Sequence, residues 1–291
     1  MTPRPQPEPT VRQARPEDAE VCGRICYDAF RTINEKHGFP CDFPGPEVPA
    51  QFLSWMFTHP GFYCIVAEVG GSIVGSNCLD ERATIAGVGP ITVDHAGQNR
   101  GVGRLLMKAV MERARERGAA GVRLVQAAFH NRSLSLYASL GFEIREPLAV
   151  MQGKTRQRSL DGCTVRPARA EDVERCNELS RRAHGFERGG ELADAMEHGG
   201  SVVVERGGRI TGYASALAFF GHATAETNLD LQALIASAES FGGSGILVPT
   251  RNSQIFQWCL ANGLRVVEVM TLMSVGLYSE PAGAWLPSIS F

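Results

Sequence analysis

The run Gln98-Asn99-Arg100-Gly101-Val102-Gly103 has the composition of an anion-binding loop. It follows a β-branched stretch, Ile91-Thr92-Val93, through Asp94-His95-Ala96-Gly97. It precedes a segment with Val102, Leu105, Leu106, Ala109 and Val110 on one helical face. This order predicts strand, glycine loop, helix. The first amides of a helix have no internal partners, and the helix dipole favours an anion there. Gly101 and Gly103 carry no side chain, so a phosphate group can approach the backbone. Arg100, Arg104 and Lys108 share the face away from the apolar stripe. Arg100 and Arg104 are candidates to offset phosphate charge, and Lys108 reads as a solvated position. His95 reads as a residue that shapes the loop. The loop is not a Walker loop, because no Gly-Lys-Ser/Thr follows, and it lacks the G-x-G-x-x-G spacing.

A second group of residues lies downstream. Val122-Arg123-Leu124-Val125-Gln126 reads as a strand, and Asn131 to Leu140 as a helix. Asn131 suits the N-cap of that helix, and Gly141 suits the position just past its end. Tyr137, on this helix, can be a core aromatic or a proton donor. A phenol with a pKa of about 10 keeps its proton at neutral pH.

Taken together, the two segments resemble the GNAT superfamily of N-acetyltransferases. Gln98, Gly101 and Gly103 match its Gln/Arg-x-x-Gly-x-Gly/Ala loop. Asn131, Tyr137, Gly141 and Phe142 match its Asn-headed, Tyr-bearing helix that ends in Gly-Phe. The specific motifs fall within residues 10–151, and residues 164–280 share only the general architecture. The resemblance implies acetyl-CoA as co-substrate and no metal. It places the backbone of Ile91, Thr92 and Val93 along the pantetheine arm. Gln98, Asn99, Arg100, Gly101, Val102, Gly103 and Arg104 would hold the diphosphate, and Asn131 joins the cofactor-binding set. Tyr137 would protonate the departing thiolate after direct attack by a primary amine.

The attacking amine must lose a proton. Asp80 and Glu81 follow the apparent strand Ile73 to Leu79 and are the candidate bases; an exposed acidic turn capped by Arg82 is the plainer reading of the same residues. The acceptor is a small molecule or a peptide amine. Two other classes fit parts of the pattern: a non-catalytic acyl-CoA-binding or regulatory protein, and a nucleotide-phosphate protein, which the missing Walker lysine disfavours.

The elements that must position these residues occur twice. Val11 to Cys22 recurs as Val165 to Cys176, with eight of twelve residues identical. Each copy reads as a strand followed by a helix, and Pro16, Glu17 and Asp18 are start signals in the first. Glu68-Val69-Gly70-Gly71 and Glu205-Arg206-Gly207-Gly208 each place a Gly-Gly turn between β-branched runs, a hairpin signal. Asn131 and Asn252 each head a closing helix.

The expected class is therefore α+β (mixed α/β): two tandem GNAT-like domains, each a mixed, mostly antiparallel twisted sheet flanked by helices. The expected division is a flexible tail at 1–9, a catalytic domain at 10–151, a linker at 152–163, a degenerate domain at 164–280 and a C-terminal tail at 281–291. The second copy is shorter. Gly75 and Asn131 are 56 positions apart, Gly212 and Asn252 only 40, so about one loop-and-helix unit reads as missing where the glycine loop should be. Six residues after Asn252 stands Trp258, an indole with no acidic proton. His222, Glu226 and Arg251 are the polar candidates of this half. Its apolar tail should pack on the body or on a partner chain.

Composition narrows the class further. The chain has 291 residues, 44% hydrophobic and 21% charged, with a formal net charge of −2. Such a charge gives no case for nucleic acid or an acidic membrane. Eight scattered cysteines without a C-x-x-C pair read as reduced buried thiols of a cytoplasmic protein. The proline-rich start has no signal-peptide character, and no apolar run is long enough to span a bilayer. A homodimer is compatible with this composition.

Overall fold

The computed structural model describes residues 7–98 and 100–290. By contact the chain forms two compact units. One comprises residues up to Glu81 together with Ala86–Val122; the other comprises Arg82–Ile85 and the chain from Arg123 onward.

The first unit begins with strand β1 (Thr10–Gln13), a short 3-10 turn at Pro16–Asp18, and helices α1 (Ala19–His37) and α2 (Glu47–Thr58). Strands β2 (Phe62–Val69), β3 (Ser72–Asp80), β4 (Ile85–Val88) and β5 (Thr92–Val93) follow, then helix α3 (Val102–Glu116). β1, β2, β3 and β4 pair in that order, all antiparallel where registered, and β5 also pairs with β3. The Gly70-Gly71 turn joins β2 to β3 as the sequence predicts, both glycines at positive φ. The core is rich in sulfur: Cys22, Cys26, Cys64 and Cys78 pack with Leu53, Met56 and Val66. Burial raises the Cys22 thiol pKa to about 12, so it behaves as a small apolar group. Six of the eight cysteines are buried; Cys163 is partly exposed and Cys41 exposed, so the buried-thiol reading does not extend to Cys41.

The second unit contains strand β6 (Gly121–Ala127, from Arg123), helix α4 (Asn131–Ser139) and strand β7 (Glu143–Gly153). It continues with β8 (Thr164–Pro167), α5 (Val173–His184), α6 (Gly189–Glu197), β9 (Val202–Arg206) and β10 (Arg209–Ala214). β11 (Ala223–Ala225), α7 (Asn228–Ser237), β12 (Ile246–Pro249), α8 (Ser253–Ala261), β13 (Leu264–Gly276) and β14 (Ala284–Leu286) complete it. β14, β11, β10, β9 and β8 form one sheet in that order. β6, β13, β7 and β12 are successive neighbours in another.

That second order intertwines the two copies of the repeat. β7 closes the first copy and β13 closes the second, yet β13 lies between β6 and β7, and β7 lies between β13 and β12. Each copy's closing strand thus fills a place beside a strand of the other. The register runs from Leu264↔Gly153 to Ser274↔Glu143. Ala149 and Met151 of β7 share a core with Ile246, Val248, Ile255 and Leu264 of the second copy. The apolar tail packs on the body, with β14 antiparallel to β11 and Ala284, Trp285 and Leu286 all buried.

The loss in the second copy is narrower than the sequence suggests. A helix still follows the hairpin, since α7 begins three residues after β11 ends. It has 10 residues where α3 has 15, and the glycine loop before it is gone.

Candidate active site

The loop side of the site is built by β3, β5 and α3. Gly75 on β3 lies opposite Val93, and a Cβ there would come within 2.6 Å of the Thr92 carbonyl oxygen. Only glycine permits that approach, which sets where β5 runs. Thr92 and Val93 are in β5 while Ile91 lies just before it, so the strand is shorter than expected. A 3-10 turn at His95–Gly97 leads on, with His95 exposed. Asn99 lies outside the described residues. Gly101 is the N-cap of α3, exposed and left-handed at φ 78°, and as a glycine it has no side chain to cap the helix amides. The expected apolar stripe is inward, with Val102, Leu106 and Val110 buried. Arg104 and Lys108 are exposed, and Arg100 and Gly103 half-buried. A helix start whose N-cap is glycine is a ready anion site.

Asp80 and Glu81 end up in different environments. Asp80 is half-buried at the end of β3, opposite Gly87. Glu81 is held by Arg113, whose Nε and Nη2 donate to its two oxygens at 2.7 and 3.0 Å. Arg117 adds a contact at 3.7 Å, and Arg113 stacks over the Tyr63 ring at 4.9 Å. Glu81 therefore has the surroundings of a structural anchor. Nothing in the sequence marks Arg113 as its partner, because the two are 32 positions apart.

Tyr137 is on α4 and is 6% exposed, against Phe142 with ring centroids 6.2 Å apart. Burial pushes its phenol pKa up to about 12, partly opposed by a hydrogen bond with Ser133. It therefore stays protonated at neutral pH, the form a general acid needs. The cap of this helix is not Asn131 as expected. The first helical bond runs from the Leu134 amide to the His130 carbonyl, so His130 is the N-cap and exposed Asn131 the first helical residue. His130 Nδ1 meets Ser133 Oγ at 2.6 Å.

The same frame corrects the second copy. Asn252 is the N-cap of α8, so it corresponds to His130, not Asn131. Both helices have nine residues, and the seventh is Tyr137 in one and Cys259 in the other. Cys259, not Trp258, stands in the tyrosine's place. It is fully buried, with its thiol raised to about 12 by burial. Counting back from Gly141 and Gly263 gives this register directly from the sequence.

Of the polar candidates in the second copy, His222 is buried. Its Nε2 lies 3.0 Å from the Tyr213 hydroxyl and its Nδ1 2.8 Å from Glu191. Burial and then Arg188 push its pKa down. Burial opposes ionisation of Glu191, but Arg188 and His222 outweigh it and hold the carboxyl below the usual range. This is an internal polar network with the character of a structural lock. Among the described residues no group of three potential ligands suits a metal ion, and no helix is long and apolar enough to cross a membrane.

A duplicated α/β fold with a glycine-started helix after a short strand, and a buried tyrosine on a later helix, is the architecture against which known proteins compare. Residues 26–142, within the first copy, match the model of the acetyltransferase (GNAT) family. A mycothiol acetyltransferase of Nocardia farcinica is 40% identical over 63 residues, 22% of this chain and 21% of that protein. A proposed acetyltransferase of Pyrococcus horikoshii has a similar fold at 20% identity, with a TM-score of 0.72 over 95% of this chain and 92% of its own. A tandem GNAT protein from the clavulanic acid biosynthesis pathway aligns at 13% identity and a TM-score of 0.56, over 92% and 98% of the two chains. The likeness to these two solved structures extends over both copies and bears out the tandem fold.

Proposed function

We propose that this chain is an acetyl-CoA-dependent N-acetyltransferase acting on a primary amine. The observation that carries the reading is the start of α3: Gly101, left-handed and exposed, is its N-cap and offers no side chain to the helix amides. The match to an acetyltransferase family supports the same chemistry.

In this reading the amides of Val102 and Gly103, the guanidinium groups of Arg100 and Arg104, and the side chains of Gln98 and Asn99 bind the diphosphate. The backbone at Ile91, Thr92 and Val93 pairs with the pantetheine amides, and Asn131 completes the cofactor set. A carbon–nitrogen bond forms between amine and acetyl carbonyl, and the carbon–sulfur bond breaks. The amine's proton goes to a base, for which Asp80 and Glu81 are the candidates. Tyr137 gives its proton to the thiolate. An acetyl-CoA thiol-release assay against a chemically diverse amine library tests the proposal: turnover with at least one amine supports it. A chain that binds acetyl-CoA yet releases no thiol with any amine would instead be a non-catalytic acyl-CoA-binding protein.

A further inference from the structure

Tyr137 ends a chain of polar side chains along one face of α4. Ser133 precedes it by four residues, the spacing that makes side chains neighbours on a helix, and is hydrogen-bonded to the phenol. Ser133 Oγ also lies 2.6 Å from Nδ1 of His130, the residue at the N-cap. Phenol, hydroxyl and imidazole therefore form one path from the buried Tyr137 to the half-buried His130.

The start of α4 forgoes a helix cap for this contact. His130 offers the helix amides no side-chain cap, and histidine is not among the favoured capping residues. The second copy shows the ordinary arrangement, with Asn252 Oδ1 accepting the Ile255 amide. Counted from the two N-caps, Asn252, Ile255 and Cys259 stand where His130, Ser133 and Tyr137 stand in the first copy. The copy without the phenol thus lacks the other two members of the path as well.

A general acid must recover its proton before the next turnover. Tyr137 is 6% exposed, so a tyrosinate left there meets little water, and burial disfavours its charge. A hydroxyl has one donor and two acceptor sites, so Ser133 can accept from one neighbour while it donates to the other. Imidazole is the side chain that gains and loses a proton near neutral pH.

The geometry points to a proton relay in which His130, through Ser133, reloads Tyr137 after each acetyl transfer. The inference rests on the acid role proposed above for Tyr137. Once the phenol has given its proton to the thiolate, His130 Nδ1–H donates to Ser133 Oγ, and the Ser133 hydroxyl donates to the tyrosinate. The Nδ1 proton passes to Oγ as the Oγ proton passes to the phenolate, which leaves a neutral imidazole and a neutral phenol. Water returns a proton to His130, so the one that departs with the thiol is replaced from solvent. His130 and Ser133 are positioning residues that act only through Tyr137.

The test compares the first turnover with later ones, on the full chain with acetyl-CoA and an amine that it acetylates. His130→Asn installs the capping residue of the second copy, and Ser133→Ala introduces a strong helix former, so both variants should keep α4 intact. Each should release a burst of one equivalent of thiol per chain at the wild-type rate. Each should then turn over about tenfold more slowly, with an unchanged KM for acetyl-CoA. In a Tyr137→Phe background neither change should lower the rate further. A slowed first turnover, a full steady-state rate in either variant, or a further loss in the Tyr137→Phe background would each overturn the relay. A wild-type chain that releases no thiol with any amine fells the acetyl-transfer reading and the relay with it. A wild type that turns over while both variants match its steady-state rate fells the relay alone.

Discussion

Arg166 donates to Asp172 at 2.6 Å, and Arg12 donates to Asp18 at the same distance in the other copy of the repeat. Each arginine also reaches a glutamate on the neighbouring hairpin, Glu205 or Glu68, and each aspartate takes the amide of Arg169 or Arg15. The identical residues of the repeat are thus the ones that tie the first strand to the turn before the helix. Asp172→Asn should destabilise the chain by about 2–3 kcal/mol, because a charged hydrogen-bonding partner is lost at a mostly buried site. The hydrogen bond from Arg166 holds the Asp172 carboxyl below its usual range, and Arg12 does the same for Asp18. A depressed folded pKa stabilises above the unfolded value of about 3.9 and is lost as pH falls through the folded value. Denaturant melts should therefore show the Asp172→Asn deficit near neutrality and a shrinking one at acid pH. An equal deficit at every pH would remove the ion pair as its cause.

Gly101→Ala should weaken acetyl-CoA binding at least tenfold. Gly101 sits at φ 78°, and nothing lies within 4 Å of where a Cβ would be. The penalty is therefore backbone strain, about 1–2 kcal/mol, rather than a clash. A chain that relieves it by shifting Gly101 out of the left-handed region moves the first amides of α3. Gly103→Val, inside the helix, should lose affinity by crowding the phosphate instead. Calorimetry with acetyl-CoA checks both, and unchanged affinity in folded variants would remove the loop from the site.

Tyr137→Phe should leave acetyl-CoA affinity nearly unchanged and lower kcat by about 10²–10⁴-fold, the usual contribution of a general acid. With its pKa pushed up to about 12, the phenol is protonated throughout the working range. The loss should therefore be constant between pH 6 and 9, and the wild-type profile should show no limb from this residue there. A variant with full kcat would make Tyr137 a packing residue.

Asp80→Asn should act mainly on turnover if Asp80 takes the amine's proton. Glu81→Gln should do the reverse: it removes the carboxylate that Arg113 grips and should cost about 1–2 kcal/mol while leaving most of the activity. The exposure of Arg113, at 32%, keeps that cost modest. Parallel melts and rate profiles separate the two, and two fully active variants would exclude both as the base.

Much of this was legible from local pattern. The Gly-Gly hairpins, the paired strand–turn–helix starts and the apolar stripe of α3 depend on neighbours in sequence, so their residues declare them. The exchange of β7 and β13 does not, because each strand reads the same whichever copy it pairs with. Arg113 was invisible as a partner for Glu81 for the same reason. The one-residue error at Asn131 came from residue type: asparagine caps helices well, but the turn through Ala127 and His130 starts α4 one residue earlier. That shift moved the tyrosine's counterpart from Trp258 to Cys259.

The last expectation is one coenzyme A per chain. The first copy has a glycine-started helix and a buried phenol that holds its proton. In the second, Thr227 caps α7 and Asn252 caps α8, so the amides that would meet a diphosphate are already engaged. Arg251, the one guanidinium lining a cavity at those helix starts, is already ion-paired to Glu146 and Glu280 and so is not available to a diphosphate. β14 pairs with β11 along Ala223, Thr224 and Ala225, so the edge of β11 that could receive an extended ligand is taken by the chain's own tail. Cys259 replaces the tyrosine with a buried thiol whose pKa, about 12, is no better matched to proton transfer, and whose S–H is a weak donor. Because β7 and β13 are interleaved, neither copy is a separable test object, and the measurement belongs to the whole chain. Titration with acetyl-CoA should saturate at one equivalent and be abolished by Gly103→Val. A second equivalent that survives Gly103→Val would place a working cofactor site in the second copy.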